Sequence, residues 1–258
     1  MDHRKHQQLA GAVAAVLLAL LTALPAQAEV TQEFHKTVPL SANGTVSVNN
    51  VNGNVEITGW ERNEVQIDAV KSAGDQQRLD NLKIEVNASG NSVDIETKFP
   101  EHMFNNNPGS VHYTLHVPQN ARIDKINLVN GSLMAQKLTG EFNANLVNGK
   151  VQASDLRGEA DLATVNGTIE ATYNSLKDVR EIKLKSVNGT VNLTLPPSPN
   201  ADVDASVVNG SITTDFPLTV KGHFVGKSMS GTLGSGGVHI ELNNVNGSIH
   251  LQPGRGTL

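Results

Sequence analysis

Glu141 and Glu159 are separated by eighteen positions. If that interval makes one coil of a stacked β-structure, the two carboxylates sit one strand spacing apart, about 5 Å. That would suit the acid–base pair of a polysaccharide hydrolase or lyase. No aromatic platform or basic clamp flanks them, so a solvated edge is the simpler account. His102, His112 and His116 invite a metal centre. On a strand, His112 and His116 would stand about 13 Å apart, too far to share one ion, and are expected on a solvated face. The glycine-rich run from Ser228 to Gly237 could cradle phosphate. A cradle needs a helix after it and a basic residue beside it, and neither follows, so a flexible corner is expected. Sequons at Asn43, Asn130, Asn166, Asn188, Asn192, Asn209 and Asn246 coincide with turns or their neighbours and follow from Asn-Gly corners with a small polar residue behind them. No catalytic residue, metal site or cofactor is assigned.

The elements that would position these groups are set by a repeat. Glycines stand at 131, 140, 149, 158 and 167, each nine residues from the last. Two before each glycine are Val129, Leu138, Val147, Leu156 and Val165; two after are Leu133, Phe142, Val151, Ala160 and Ile169; four after are Ala135, Ala144, Ala153, Leu162 and Ala171. All are apolar, whereas the residues one after (Ser132, Glu141, Lys150, Glu159, Thr168) are polar. A short strand with alternate side chains buried, then a turn, then the same again, explains this. A fixed period marks a repeat architecture.

A second, doubled period overlies the first, because asparagine precedes alternate glycines, at Asn130, Asn148 and Asn166. Stacking would pile these corners on one edge, glycine supplying the left-handed backbone and asparagine tolerating it. Asn-Gly is also a hairpin signal. A hairpin, however, would face Val129 with Ser132 and Val147 with Lys150, and would need positive φ at Thr139 and Arg157. The expected fold is therefore all-β: a right-handed parallel β-helix with two nine-residue strand-turn units per coil, about ten coils of about 4.8 Å each, with Val129, Val147 and Val165 in one buried column. The signature recurs earlier at Asn43-Gly44 and Asn52-Gly53. It recurs later, at longer intervals, at Asn188-Gly189, Asn209-Gly210 and Asn246-Gly247, with Met229-Ser230-Gly231 as a further variant. Coils toward the C-terminus are thus irregular and longer. The aspartates that calcium-binding nonapeptides require are missing from the repeat.

Residues 1–28 look like a secretory signal: a basic start, an apolar run from Leu9 to Leu24, and Ala26-Gln27-Ala28 as a cleavage site. The whole chain has 20 Lys and Arg against 25 Asp and Glu, of which the signal holds only Asp2, Arg4 and Lys5. What remains is mildly acidic, which gives no reason to expect nucleic acid. No later segment is apolar enough to cross a bilayer. With no cysteine, the fold must do without disulfides, as a solenoid can. A periplasmic or secreted location follows.

Residues 29–125 form the N-terminal strands and capping coils, continuous with the solenoid of 126–258 as one domain. Ser72 to Asn81 is expected as a short helix or loop, and Leu82 to Lys98 as strands around a turn at Ala88–Asn91. Phe99 to Ser110 is the longest interruption, where binding loops tend to lie. Trp60, the only tryptophan, is expected to pack in the core.

The Val-Asn-Gly coils, the opening Val46-Ser47-Val48-Asn49-Asn50-Val51-Asn52-Gly53 with Gly59-Trp60 behind it, the strand Tyr113-Thr114-Leu115-His116-Val117-Pro118, and the closing Asn246-Gly247-Ser248-Ile249 resemble a bacterial family of "putative adhesins". The resemblance spans nearly all of the chain after the signal. It implies a secreted or envelope protein with a β-helical repeat and transfers no catalytic residue. The expected function is a non-catalytic binding or scaffolding module of the bacterial envelope, its partner an envelope protein or polysaccharide. The alternative is a carbohydrate-active enzyme using Glu141 and Glu159.

Overall fold

A computed structural model describes residues 29–99, 109–222 and 226–254. The signal sequence, most of the Phe99–Ser110 segment and His102 lie outside the described residues. In the N-terminal part the strands are β1 (Val30–Pro39), β2 (Thr45–Asn52), β3 (Val55–Trp60), β4 (Glu64–Ala73), β5 (Lys83–Ser89), β6 (Ser92–Lys98) and β7 (Ser110–Pro118). A short helix α1 (Gln76–Asn81) follows β4. Asp75 caps it, its carboxylate accepting from the Arg78 N–H at 2.8 Å, and Leu79 anchors it in the core. The repeat then gives β8 (Arg122–Asn130), β9 (Leu133–Gln136), β10 (Phe142–Asn148), β11 (Val151–Leu156), β12 (Ala160–Tyr173), β13 (Glu181–Leu195), β14 (Ala201–Thr214), β15 (Val220–Gly222), β16 (Lys227–Leu233) and β17 (Val238–Pro253).

The molecule is all-β and its strands stack as two faces joined at the Asn-Gly corners. On one face β2, β8, β10 and the first halves of β12, β13, β17 and β14 lie parallel in that order. On the other, β7, β3, β9, β11 and the second halves of the same long strands do. The regular coil has the doubled length expected, pairing Asn148 with Asn130 and Asn166 with Asn148. Alternate side chains point into the space between the faces. The core is built from small and branched residues such as Ile126, Leu133, Ala144, Val151, Leu162, Ile169 and Leu184, all essentially dry. Tyr113 and Tyr173 are the largest side chains there. The Thr97 and Tyr113 hydroxyls lie 2.6 Å apart, and burial pushes the Tyr113 phenol up to about 12. Tyr173 donates to the Gly158 carbonyl at 3.1 Å and is likewise pushed up by burial.

Four expectations need correction. Chain order is not stacking order: β17 lies between β13 and β14, so the last strand fills a layer that the chain skipped. Antiparallel strands close the ends, with β1 on β4, β4 on β7, β5 on β6 and β16 on β14, which shields sheet edges that a purely parallel stack would leave open. Met229-Ser230-Gly231 is no corner; it runs through the middle of β16. The Asn-Gly column has seven layers among the described residues rather than about ten coils.

Candidate functional site

The seven corner asparagines form one hydrogen-bonded ladder. Asn209 donates its side-chain amide to Asn246 at 3.0 Å, Asn246 to Asn188, Asn188 to Asn166, Asn166 to Asn148, Asn148 to Asn130 and Asn130 to Asn52, each of the last five at 2.9 Å. The amide of Asn52 donates to the Gly109 carbonyl at 3.3 Å. Strand spacing matches the reach of one carboxamide to the next, so every rung from Asn246 to Asn52 both donates and accepts, and Asn209 ends the ladder as a donor. The expected left-handed asparagine is not what these corners use. Among the described residues the positive-φ residues other than glycine are Lys137, Asp155 and Asp178, and the first two mark the other edge of the coil, one full coil apart. No residue type at those positions announced it.

Glycine follows each rung because its neighbour's backbone is too close for a side chain. A Cβ on Gly131 would lie 2.1 Å from the Gly53 carbonyl oxygen, on Gly149 1.9 Å from that of Gly131, on Gly167 1.8 Å from that of Gly149, and on Gly189 1.8 Å from that of Gly167. Gly247 meets Gly189 at 1.8 Å, Gly210 meets Gly247 at 1.6 Å, and Gly53 meets Val111 at 2.1 Å. Asn43 and Gly44 stand apart from this column, in the turn leading into β2, where the Gly44 N–H donates to the Ser41 carbonyl at 2.9 Å.

Beside the ladder runs a stripe of valines. Val51, Val129, Val147, Val165, Val187, Val245 and Val208 occupy the position before the asparagine on successive layers, so the column expected from the sequence exists. It faces solvent, not the core. Val129, Val147, Val165, Val187, Val208 and Val245 are 39–48% exposed, whereas Leu138 and Leu156, at the equivalent place on the other edge, are buried. The strand alternates up to the corner: Leu146 points in, and the next residue, Val147, must point out. Periodicity counted from the glycine missed this, because both kinds of corner place an apolar residue there. Six of these valines, with Asn127, Asn145, Ala163, Lys185, Ser206 and Asn243 two residues before them, border a furrow of about 650 Å³ floored by Leu128, Leu146, Thr164, Ser186 and Asn244. Asn244 donates to the Gly189 carbonyl at 2.8 Å, while its side-chain oxygen is buried without a partner among the described residues.

The Toastrack DUF4097 family description matches residues 31–252. The chain belongs to this family. Among solved structures it is similar to a "putative cell adhesion protein" from Clostridium sporogenes, with 15% identity over 87% of this chain and 100% of that one, at a TM-score of 0.50. A "putative lipid binding protein" from Parabacteroides distasonis (15% identity, 86% and 97% coverage, TM-score 0.30) and a "putative adhesin" from Bacteroides fragilis (9% identity, 86% and 97% coverage, TM-score 0.33) are more distant in shape. At these identities the likeness concerns the fold alone. No curated protein matches the chain.

In this Toastrack chain the candidate carboxylates are engaged one by one. Glu141 accepts from the Arg122 guanidinium at 3.3 Å and from the Asn143 amide at 2.8 Å, and Glu159 pairs with Arg180. They do stack on adjacent layers, since their neighbours Phe142 and Ala160 are register partners. Each is held by its own cation rather than turned toward the other. Nearby, Lys183 sits 2.6 Å from Glu181, lowering the carboxylate's pKa and raising its own. Among the described residues no three His, Asp or Glu side chains converge as metal ligands. The His112 ring nitrogen Nδ1 accepts from the Asn54 N–H at 3.2 Å. His116 lies against Trp60, ring centroids 5.2 Å apart. Trp60 is half-buried rather than a core residue; its Nε1 donates to the Glu64 carbonyl at 2.9 Å and Arg62 covers the ring at 4.9 Å. The glycine-rich run is half strand, half turn, and one of its amides serves an exposed carboxylate of the same chain. The Gly237 N–H donates to Asp202 at 3.0 Å and the Thr232 hydroxyl at 2.7 Å, holding that carboxylate below its usual range. Among the described residues no helix is long and apolar enough to cross a membrane.

Proposed function

We propose that this Toastrack chain is a non-catalytic, adhesin-like binding or scaffolding module of the bacterial envelope. It acts in the periplasm or after secretion once residues 1–28 are removed, and its coils wind right-handed. The observation that carries the reading is the solvent-facing valine stripe, continuous across the layers of a rigid scaffold. A contiguous exposed apolar strip on a β-face that already satisfies its own backbone favours contact with another molecule. The ion-paired Glu141 and Glu159 argue for a surface role over catalysis. The test uses residues 29–258 and a washed bacterial envelope fraction in a sedimentation assay. Wild type should pellet with the envelope, and Val165→Asp with Val187→Asp should stay in the supernatant with unchanged far-UV circular dichroism. Glu141→Gln with Glu159→Gln should pellet as wild type. Equal pelleting of wild type and the valine double variant would refute the reading.

A further inference from the structure

The furrow also points to the chemistry of its occupant, an inference that rests on the binding role proposed above. It runs along the stack, across the strands. Its two rims come from residues two apart on the same strand, such as Asn145 and Val147, and therefore stand about 7 Å apart. A helix about 10 Å across does not enter such a trough. An extended peptide gains nothing from it, since these strands spend their N–H and C=O groups on neighbours within the sheet and a sheet face offers no edge to pair with. A second copy of the chain is a poor fit too. A valine side chain has on the order of 100 Å² to bury, so six at about two-fifths exposure supply roughly 250 Å², against about 800 Å² per partner in a stable interface. What suits a narrow, straight, apolar trough without backbone partners is a single hydrocarbon chain.

Charge and length refine this. Among the described residues that line the furrow, Lys185 alone is ionisable. It stands between Ala163 and Asn243 on its rim, so the short Ala163 side chain leaves room beside its stem. Among the described residues Lys98, Lys150 and Lys183 pair with glutamates, and Lys185 enters no ion pair. From the Lys185 layer the stripe continues through Val165 and Val147 to Val129, three strand spacings or about 14 Å. One leaflet of a bilayer's hydrocarbon core, the length of one acyl chain, is about 15 Å.

We infer that the furrow binds one acyl chain of an anionic single-chain amphiphile, a long-chain carboxylate, with the carboxylate at Lys185 and the tail lying along Val165, Val147 and Val129. Titration calorimetry below the micelle concentration tests it, using octanoate, dodecanoate, tetradecanoate and octadecanoate, with dodecyltrimethylammonium as the cationic counterpart. Tetradecanoate should bind one to one. Affinity should rise with tail length and level off once the tail passes Val129, and dodecyltrimethylammonium should bind at least tenfold more weakly than dodecanoate. Lys185→Glu should weaken tetradecanoate at least tenfold, Lys185→Arg should restore it, and Val147→Asp should abolish binding while leaving the melting curve near wild type. Equal affinity for both head-group charges, or indifference to Lys185→Glu, would overturn the assignment. So would a valine-dependent dimer in sedimentation without amphiphile binding. If no amphiphile binds yet the valine double variant still fails to pellet with envelopes, the ligand class falls and the binding role stands.

Discussion

Replacing Gly189 by alanine tests whether close stacking, rather than backbone conformation, selects glycine at the corners. The new Cβ would lie 1.8 Å from the Gly167 carbonyl oxygen, and real Cβ atoms essentially never approach a heavy atom closer than 3.0 Å. The layers must part locally by about 1.2 Å, which stretches the 2.9 Å Asn188–Asn166 bond past 4 Å, beyond hydrogen-bond reach. Two or three backbone bonds flanking the corner stretch with it. At about 1 kcal/mol for each lost bond, plus about 1–3 kcal/mol for an L side chain at φ +149, outside the left-handed α well, the variant should lose about 4–7 kcal/mol. Gly90→Ala is the control: φ is +59 there and nothing lies within 4 Å of the new Cβ, so about 1 kcal/mol is expected. Urea unfolding followed by circular dichroism, at matched m-values, measures both. If Gly189→Ala costs no more than Gly90→Ala, the stacked carbonyl is not what excludes a side chain, and the account of the corner is wrong.

The other expectations are simpler. Leu184→Ala, on the core side of β13, should cost about 3 kcal/mol, whereas Val187→Ala, three residues on but facing out, should cost under about 1 kcal/mol; equal losses in urea titrations would contradict the orientation of the valine stripe. His35 faces Asp68 across β1 and β4 with Nδ1 2.7 Å from the carboxylate. The contact raises the histidine above 6.5 and lowers the aspartate below 3.8. The histidine's contribution is full below 6.5 and disappears as pH rises through its raised value; the aspartate's is full above 3.8 and disappears as pH falls through its lowered value. The melting-temperature gap between wild type and Asp68→Asn should therefore be widest between about pH 4 and 6.5 and close as the pH rises through the histidine's raised value, and a gap that grows with pH would count against the pair.

Much of the fold was legible because stacking turns three-dimensional neighbours into a one-dimensional period. Gly131, Gly149 and Gly167 each lie against the next, so the spacing that puts them in register is written in the chain. The same logic brought Glu141 and Glu159 to adjacent layers. It did not reveal Arg122 or Arg180, because the partners of those carboxylates come from outside the nine-residue pattern. The direction of Val129, Val147 and Val165 was misread for a related reason. Counting from the glycine treats the two edges of the coil alike, yet one edge turns at left-handed Lys137 and Asp155, and the other passes through a glycine stack.

The amino-acid sequence by itself determined an all-β chain with a coil of two nine-residue units and one edge of Asn-Gly corners, since alternate burial is a local demand and regular stacking writes the close approach at the corner into the chain as a fixed interval. Tertiary structure alone decided that β17 fills the layer between β13 and β14, that antiparallel strands close the ends, and that the valine column faces water. Any Val-Asn-Gly strand fits above any other, so sequence order cannot rank the layers; only the packing of the caps and the closure of the core choose among them.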